Sequence, residues 1–238
     1  MIRVDELATL YIDIRDCHVC ADMDREKALR LVQAVNTESD VFIISQALAA
    51  SQLRKSGVNF FQPDGHLGST GKSLERFLNC FRRTVYPQQE VTLPSGATIP
   101  RCNPGYVAVY NTEIAQCYPG RNARGTGDRA PTHQELETCV GRGFLMREVE
   151  LIKPRLLLLM GKTSRDAFFD YVLREHYPGS LTEHIRDLSN HGELPRFTLG
   201  DCSSAVLPIQ HASGANPRFH SMLCDEDLAQ LVKEVLYG

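Results

Sequence analysis

The spacing of apolar residues along the chain predicts helices that alternate with short strands. Apolar positions recur every three or four residues in several segments, as they do on one face of a helix. These segments are Asp5–Asp16, Arg25–Val35, Gly71–Tyr86, Thr132–Ile152, Gly161–Leu173 and Glu226–Leu236. Four short apolar runs, typical of strands buried on both faces, stand between them. These runs are Val41–Ile44, Tyr106–Tyr110, Arg155–Met160 and Val206–Gln210.

Strands that alternate with helices favour a parallel sheet covered on both faces. The predicted fold class is therefore α/β, a three-layer α/β/α sandwich with a central, mainly parallel four-stranded sheet. A chain of 238 residues is short enough to form a single domain, residues 1–238. A small hairpin excursion is predicted at about 90–100, because Pro94, Ser95 and Gly96 supply turn chemistry between two β-prone runs.

Composition and charge leave the partner open. The formal net charge is −3, so binding to DNA would require a local basic face. The candidate cations are Arg121, Arg124, Arg129, Arg142 and Arg218. No apolar run approaches the roughly 20 residues that span a bilayer, and the first residues do not resemble a secretory signal. We therefore expect a cytoplasmic protein without a membrane segment.

The cysteines suggest a metal centre. Cys17 and Cys20 form a C-x2-C pair, and Cys102 and Cys117 form a wider pair around the second strand. Four thiolates from two segments can hold zinc or an iron–sulfur cluster, and the wide second spacing favours the cluster. Zinc is the alternative, and unrelated buried thiols are a further one. The other four cysteines are interpreted as structural, namely Cys80, Cys139, Cys202 and Cys224.

Polar residues follow several predicted strands, at the edge where parallel sheets bind ligands. Gln46 and Ala47 follow the first strand, Asn111 and Glu113 follow the second, and His211 follows the fourth. An amide, a carboxylate and an imidazole would therefore meet at one edge of the sheet. The sequence predicts a binding or catalytic site there.

An ordered set of motifs resembles the iron–sulfur uracil-DNA glycosylases. The set consists of Cys17-x2-Cys20, the turn at Gln46, Gly68-Ser69-Thr70-Gly71, Cys102, Cys117-Tyr118-Pro119-Gly120-Arg121-Asn122, Pro131-Thr132-x-x-Glu135-Leu136-x-x-Cys139, Ile152-Lys153-Pro154-Arg155, Met160-Gly161-Lys162-Thr163 and Pro208-x-x-His211-Ala212-Ser213. It covers most of the chain in the family's order, although no single motif is decisive.

The resemblance implies a DNA repair enzyme with a 4Fe–4S cluster of mainly structural role. Such an enzyme hydrolyses the N-glycosidic bond of uracil, or of a related deaminated base, flipped out of DNA, and leaves an abasic site. The partner would be DNA containing a damaged base, and the enzyme is expected to act as a monomer. The cluster ligands would be Cys17, Cys20, Cys102 and Cys117.

The resemblance also implies roles for the candidate site residues. His211 matches the donor to the base oxygen, and Gln46 with Ala47 matches the turn that positions water. Either Glu113 or Asn111 could enter the pocket to read the base edge, and Glu113 could instead orient water or support the sugar cation. Phe60, Phe61 or His66 could stack on the base. The DNA backbone would be gripped by Ser213, Asn216, Arg218, Arg121 and Arg124.

The first motif departs from the family pattern. The family has Gly-Glu-Ala-Pro-Gly, whereas this chain has Ser45-Gln46-Ala47-Leu48-Ala49, without the acid that handles water. Ala212 also replaces a proline. These departures support an alternative function, a non-catalytic iron–sulfur module that binds DNA or nucleotides on the same fold.

Overall fold

The computed structural model describes residues 4–20 and 23–238. The strands in these residues are β1 Asp24–Lys27, β2 Val41–Ser45, β3 Arg83–Thr84, β4 Val91–Thr92, β5 Thr98–Ile99, β6 Val107–Ala108, β7 Tyr110–Glu113, β8 Cys117–Tyr118, β9 Leu156–Met160, β10 Arg196–Leu199 and β11 Cys202–Ile209. The helices are α1 Val4–Arg15, α2 Ala50–Leu53, α3 Ser69–Asn79, α4 His133–Gly141, α5 Phe144–Ile152, α6 Lys162–Ala167, α7 Leu181–His191, α8 Pro217–Met222 and α9 Glu226–Tyr237. A 3-10 turn at Gln33–Val35 and a π-helical segment at Phe168–Leu173 complete them.

The centre of the molecule is a five-stranded sheet in the order β10-β11-β9-β2-β7. Four of its strands run parallel, and β10 pairs antiparallel with β11 at one edge. This confirms the α/β fold class with a mainly parallel central sheet. The prediction of four strands missed β10, because its residues alternate between exposed and buried instead of forming a continuous apolar run.

Helices cover both faces of this sheet. On one face Ile43 and Leu158 pack in a core shared with α3, α7, α8 and α9. On the other face Ile44 and Leu157 pack in a core shared with α4, α5 and α6. Successive side chains of a strand point to opposite faces, so buried strands supply both cores at once. Helix α1 adds a small core of its own against Phe144 of α5.

Three helix predictions were wrong in whole or in part. The helix predicted over 71–86 is too long, since α3 ends at Asn79 and residues 83–84 form β3. Residues 25–35 contain β1, which pairs antiparallel with β8, followed by the 3-10 turn, so tertiary pairing overrides the local helical period. The segment 132–152 forms two helices instead of one. Gly143 lies between them with φ +72°, a left-handed conformation that favours glycine and ends the first helix. None of the helices in the described ranges is long and apolar enough to cross a membrane.

The second predicted strand is displaced along the chain. Residues 106–110 were predicted, but β6 pairs with β3 outside the main sheet, and only β7 joins β2. Asn111 and Glu113 therefore lie within β7 and not beyond its end. Strands β4 and β5 form a hairpin, which lies within the predicted excursion.

Candidate active site at the carboxyl edge of the sheet

A cavity of about 260 Å³ lies at the carboxyl ends of the parallel strands. Its walls come from the turn after β2, the end of β9, the loop after β11, the loop before α3 and the loop before α4. Four of the predicted site residues line it together: Gln46, Ala47, Phe60 and His211. The strand-end rule of parallel sheets thus located the position of the cavity.

His211 stands at the mouth of the cavity, directly after β11. Asn216 Nδ2 donates to its backbone carbonyl at 2.9 Å and fixes the turn that carries the ring. Gly161 lies beside it, since a Cβ added there would be 3.7 Å from His211 Cβ. Desolvation by the surrounding protein lowers the pKa of His211 below its usual value. The imidazole is therefore neutral at neutral pH and keeps one N–H to donate.

The turn after β2 is tied to the neighbouring strand. Ile114 N donates to Ser45 O at 2.8 Å, and Ala115 N donates to Gln46 O at 3.0 Å. These backbone bonds extend the β2–β7 ladder beyond the strands and fix the path of the chain. The half-buried side chains of Gln46 and Ala47 then form one wall of the cavity.

Phe60 forms an aromatic wall and has an unusual backbone conformation. Its φ is +68°, which is rare for a bulky side chain and strains the backbone. The start of α3 holds it there. Gly68 N donates to Phe60 O at 2.7 Å, and a Cβ at Gly71 would lie only 2.8 Å from the same oxygen. Glycine at position 71 is therefore required for the helix to approach Phe60 so closely.

The other two predicted stacking residues lie elsewhere. Phe61 is buried and packs edge-to-face on Tyr86 with the ring centroids 5.7 Å apart. His66 is exposed, and its backbone N–H is bound by Asp64. Neither contributes to the described walls of the cavity.

Glu113 reaches the cavity only through Asn59. The carboxylate is 1% exposed and accepts a short hydrogen bond from Asn59 Nδ2, and Asn59 itself lines the cavity. Arg30 lies 3.2 Å from Glu113 Oε2 and 3.7 Å from Glu148 Oε1, so one buried cation serves two buried carboxylates. Asn111 is buried nearby on β7, and within the described residues its Nδ2 has no hydrogen-bond partner.

Asp128, which was not among the predicted site residues, lines the cavity together with Arg129. Asp128 accepts from Ala50 N at 3.2 Å and from Tyr118 Oη at 2.6 Å. Arg129 forms a bidentate pair with Glu135 at 2.5 and 2.7 Å, which lowers the pKa of Glu135. The sequence signal for Asp128 and Arg129 is their position, because they lie just before the recognised motif that begins at Pro131 and Thr132.

All five of the predicted DNA-contacting residues lie outside the described walls of this cavity. Asn216 caps α8 by accepting from Arg218 N at 3.1 Å, in addition to its bond to the backbone of His211. Arg218 borders a separate cavity of about 430 Å³. Arg121 and Arg124 are exposed in the loop that carries Asp128. Ser213 is half-buried and, like these four, is not part of the described walls.

Four cysteines from three segments line a second, smaller cavity. They are Cys17 and Cys20 after α1, Cys117 in β8 and Cys139 in α4. This group differs from the predicted set of four cysteines at one position. Cys102 lies elsewhere, where its Sγ contacts Gln88 Oε1 at 3.7 Å, and Cys139, which was interpreted as structural, lies beside the other three.

The thiols of this cavity influence one another. Burial raises the pKa of Cys139 to about 12, and its proximity to Cys117, Cys20 and Cys17 raises it further in the same direction. Gln116 N also donates to Cys139 Sγ at 3.3 Å. Within residues 4–20 and 23–238, no group of three or more His, Cys, Asp or Glu residues is arranged to hold a metal ion. The four thiols thus share a cavity without converging on a single ion position.

Comparison with known proteins assigns the chain to a family. A family model described as the uracil DNA glycosylase superfamily matches residues 32–233. The match includes every residue described in the walls of the cavity that contains His211. It begins after Cys17 and Cys20 of the second cavity. A search of curated proteins found no match. Members of the matching superfamily are generally DNA glycosylases, and since the match covers most of the chain, this protein belongs to the uracil DNA glycosylase superfamily.

Proposed function

We propose that the protein is a DNA glycosylase that hydrolyses the N-glycosidic bond of uracil, or of a related deaminated base, flipped out of DNA. The observation that carries this proposal is the cavity in which His211 and Phe60 meet at the carboxyl edge of the sheet. A base stacked in DNA is out of reach of any side chain, so it must enter a pocket. A volume of about 260 Å³ suits a single base better than a larger ligand.

The proposed chemistry follows from how charge moves as the bond breaks. The sugar becomes positive and the departing base becomes negative, so a donor aimed at the base oxygen lowers the barrier. The neutral imidazole of His211 supplies such a donor. Phe60 offers a flat apolar face on which the base can stack. An abasic site and the free base are the products.

We assign recognition of the base to Asn59. Its Nδ2 donates a hydrogen bond to the carboxylate of Glu113, which orients the amide. Its Oδ1 is then left to accept a hydrogen bond from the base. No donor in the described part of the chain bonds to that oxygen. Uracil presents an N3–H donor, whereas cytosine presents an acceptor at the same position, so a fixed carbonyl favours uracil. Glu113 and Arg30 act behind Asn59 as positioning residues.

The Asn59→Ala variant tests this assignment. We expect kcat/KM for uracil in DNA to fall about 10-fold or more, since one hydrogen bond and its alignment are lost. Steady-state excision from uracil-containing oligonucleotides measures this change. Asn190→Ala, in a different cavity, is the matched control and should retain normal kinetics. Equal kcat/KM for Asn59→Ala and the wild type would contradict the assignment.

We further propose that Cys17, Cys20, Cys117 and Cys139 hold a 4Fe–4S cluster. Two observations support this proposal: the four thiols line one cavity, and the backbone N–H of Gln116 donates to Cys139 Sγ, as backbone donors do around the sulfurs of such clusters. Bound iron would replace the thiol protons and cancel the repulsion between thiolates. The cluster would join α1, β8 and α4, so its role would be structural.

The activity is tested with labelled oligonucleotides that contain uracil, hypoxanthine or xanthine. Each lesion is presented in a single strand and opposite each normal base, and alkali then converts abasic sites into strand breaks. We expect breaks at uracil. Protein that carries its metal centre and produces no break at any lesion would overturn the proposed activity and favour a non-catalytic DNA-binding module.

A further inference from the structure

The carboxylate of Asp128 faces the cavity that contains His211 and Phe60. It belongs to the loop between β8 and α4, and two donors from other segments hold it in place. Ala50 N lies 3.2 Å from Oδ2, and Tyr118 Oη lies 2.6 Å from Oδ1. A residue in a loop is thereby fixed with respect to the sheet.

The two bonds leave the carboxylate able to bind water. Each oxygen of an ionised carboxylate can accept two hydrogen bonds, and each oxygen of Asp128 accepts one here. Desolvation and the bond to Asp128 both raise the pKa of Tyr118, so the phenol stays protonated and donates. The neighbouring cation of Arg129 is engaged by Glu135.

We propose that Asp128 is the general base that positions and deprotonates the attacking water. The inference rests on the proposed glycosylase function. Ala50, which holds the carboxylate, begins α2 immediately after the turn Ser45–Ala49. That turn contains no acid, and the bond from Ala50 brings the carboxylate of Asp128 beside it from a distant part of the sequence.

The reaction balances with this base. The bond between C1′ of the deoxyribose and the base nitrogen breaks, and its electron pair leaves with the base. The water oxygen bonds to C1′, and the water proton passes to Asp128, which returns it to solvent. The base anion, stabilised by the N–H of His211, takes up a proton from solvent. One water is consumed for each base released.

The decisive variant is Asp128→Asn. Asn can still accept from Ala50 N through Oδ1 and donate to the Tyr118 hydroxyl through Nδ2, so the loop keeps both anchors. The single-turnover rate of uracil excision should fall about 100-fold or more, the usual contribution of a general base. The Kd for an oligonucleotide with non-cleavable 2′-fluorodeoxyuridine and the Tm should match those of the wild type. Tyr118→Phe, which retains the carboxylate, should lose much less rate.

The possible results are distinguishable. Active wild-type protein with an equally active Asp128→Asn variant overturns the role of Asp128 and leaves the proposed function intact. A variant whose rate and affinity fall together also overturns the role, because Asp128 then only shapes the pocket. Wild-type protein that excises no base overturns both the proposed function and the inference that rests on it.

Discussion

Replacing His211 with alanine should lower the rate of uracil excision about 100- to 1,000-fold, the usual loss when one preorganised donor to a developing oxyanion is removed. The ring lies at the mouth of the cavity, and a neighbouring glycine leaves room for it. Its lowered pKa favours the neutral imidazole at neutral pH, and a neutral imidazole still carries one N–H that it can donate. Single-turnover excision from a uracil-containing oligonucleotide measures the effect.

His66→Ala is the matched control for this variant. His66 is exposed outside the described walls of the cavity, so its loss should leave the rate unchanged. Affinity for DNA with a non-cleavable uracil analogue should change little in His211→Ala, because the donor acts mainly as charge develops. A His211→Ala protein as fast as the wild type would refute the role of the imidazole. If the excision rate of the wild type rose at acidic pH, where the ring becomes protonated, the hypothesis that the neutral imidazole is the donor would be refuted.

Replacing Cys139 with serine should remove the proposed metal centre and destabilise the fold. Cys139 brings α4 to the cavity that the thiols after α1 and in β8 also line, so a cluster there would link three segments. Loss of one ligand should abolish the broad visible absorbance of anaerobically purified protein and lower its Tm by several degrees, about 2 °C for each 1 kcal/mol in a chain of this size. Iron and acid-labile sulfide analysis with thermal unfolding measures both effects.

Cys102→Ser is the control that separates the two cysteine assignments. Cys102 contacts Gln88 and Tyr106 away from the cavity, so this variant should keep its iron and its colour. The reverse result, with iron lost from Cys102→Ser and kept by Cys139→Ser, would restore the ligand set expected from the sequence. Colourless wild-type protein that contains zinc would refute the cluster.

Local patterns were sufficient to predict three of the five strands of the central sheet. Continuous apolar runs located β2, β9 and β11, because a strand buried on both faces needs apolar residues at every position. Strand β10 shows only alternation over four residues, too short a signal to separate from a loop. Helix α7 was also missed, although Ser180 and Glu183 form a capping box at its start.

The site was predictable where it depends on strand ends and not where it depends on loops. His211 and Gln46 follow directly after strands, so the topology brings them together. Asp128 reaches the cavity through a bond to Ala50, 78 residues earlier in the chain, and no local pattern indicates such a contact. Cys139 was missed for a similar reason, since a helix places it beside thiols that are distant in sequence.

The buried charges of Arg30, Glu113 and Glu148 affect the orientation of a pocket side chain more than the stability of the fold. Such charges lose their hydration on folding, and their mutual attraction often does no more than offset that cost. Burial favours the neutral acid and raises the pKa of Glu148, while Arg30 opposes the shift. An apolar core in the same space could be equally stable, but it could not orient the amide of Asn59. The buried charges beneath the pocket therefore add little net stability, and their effect is to keep one side chain in a single orientation.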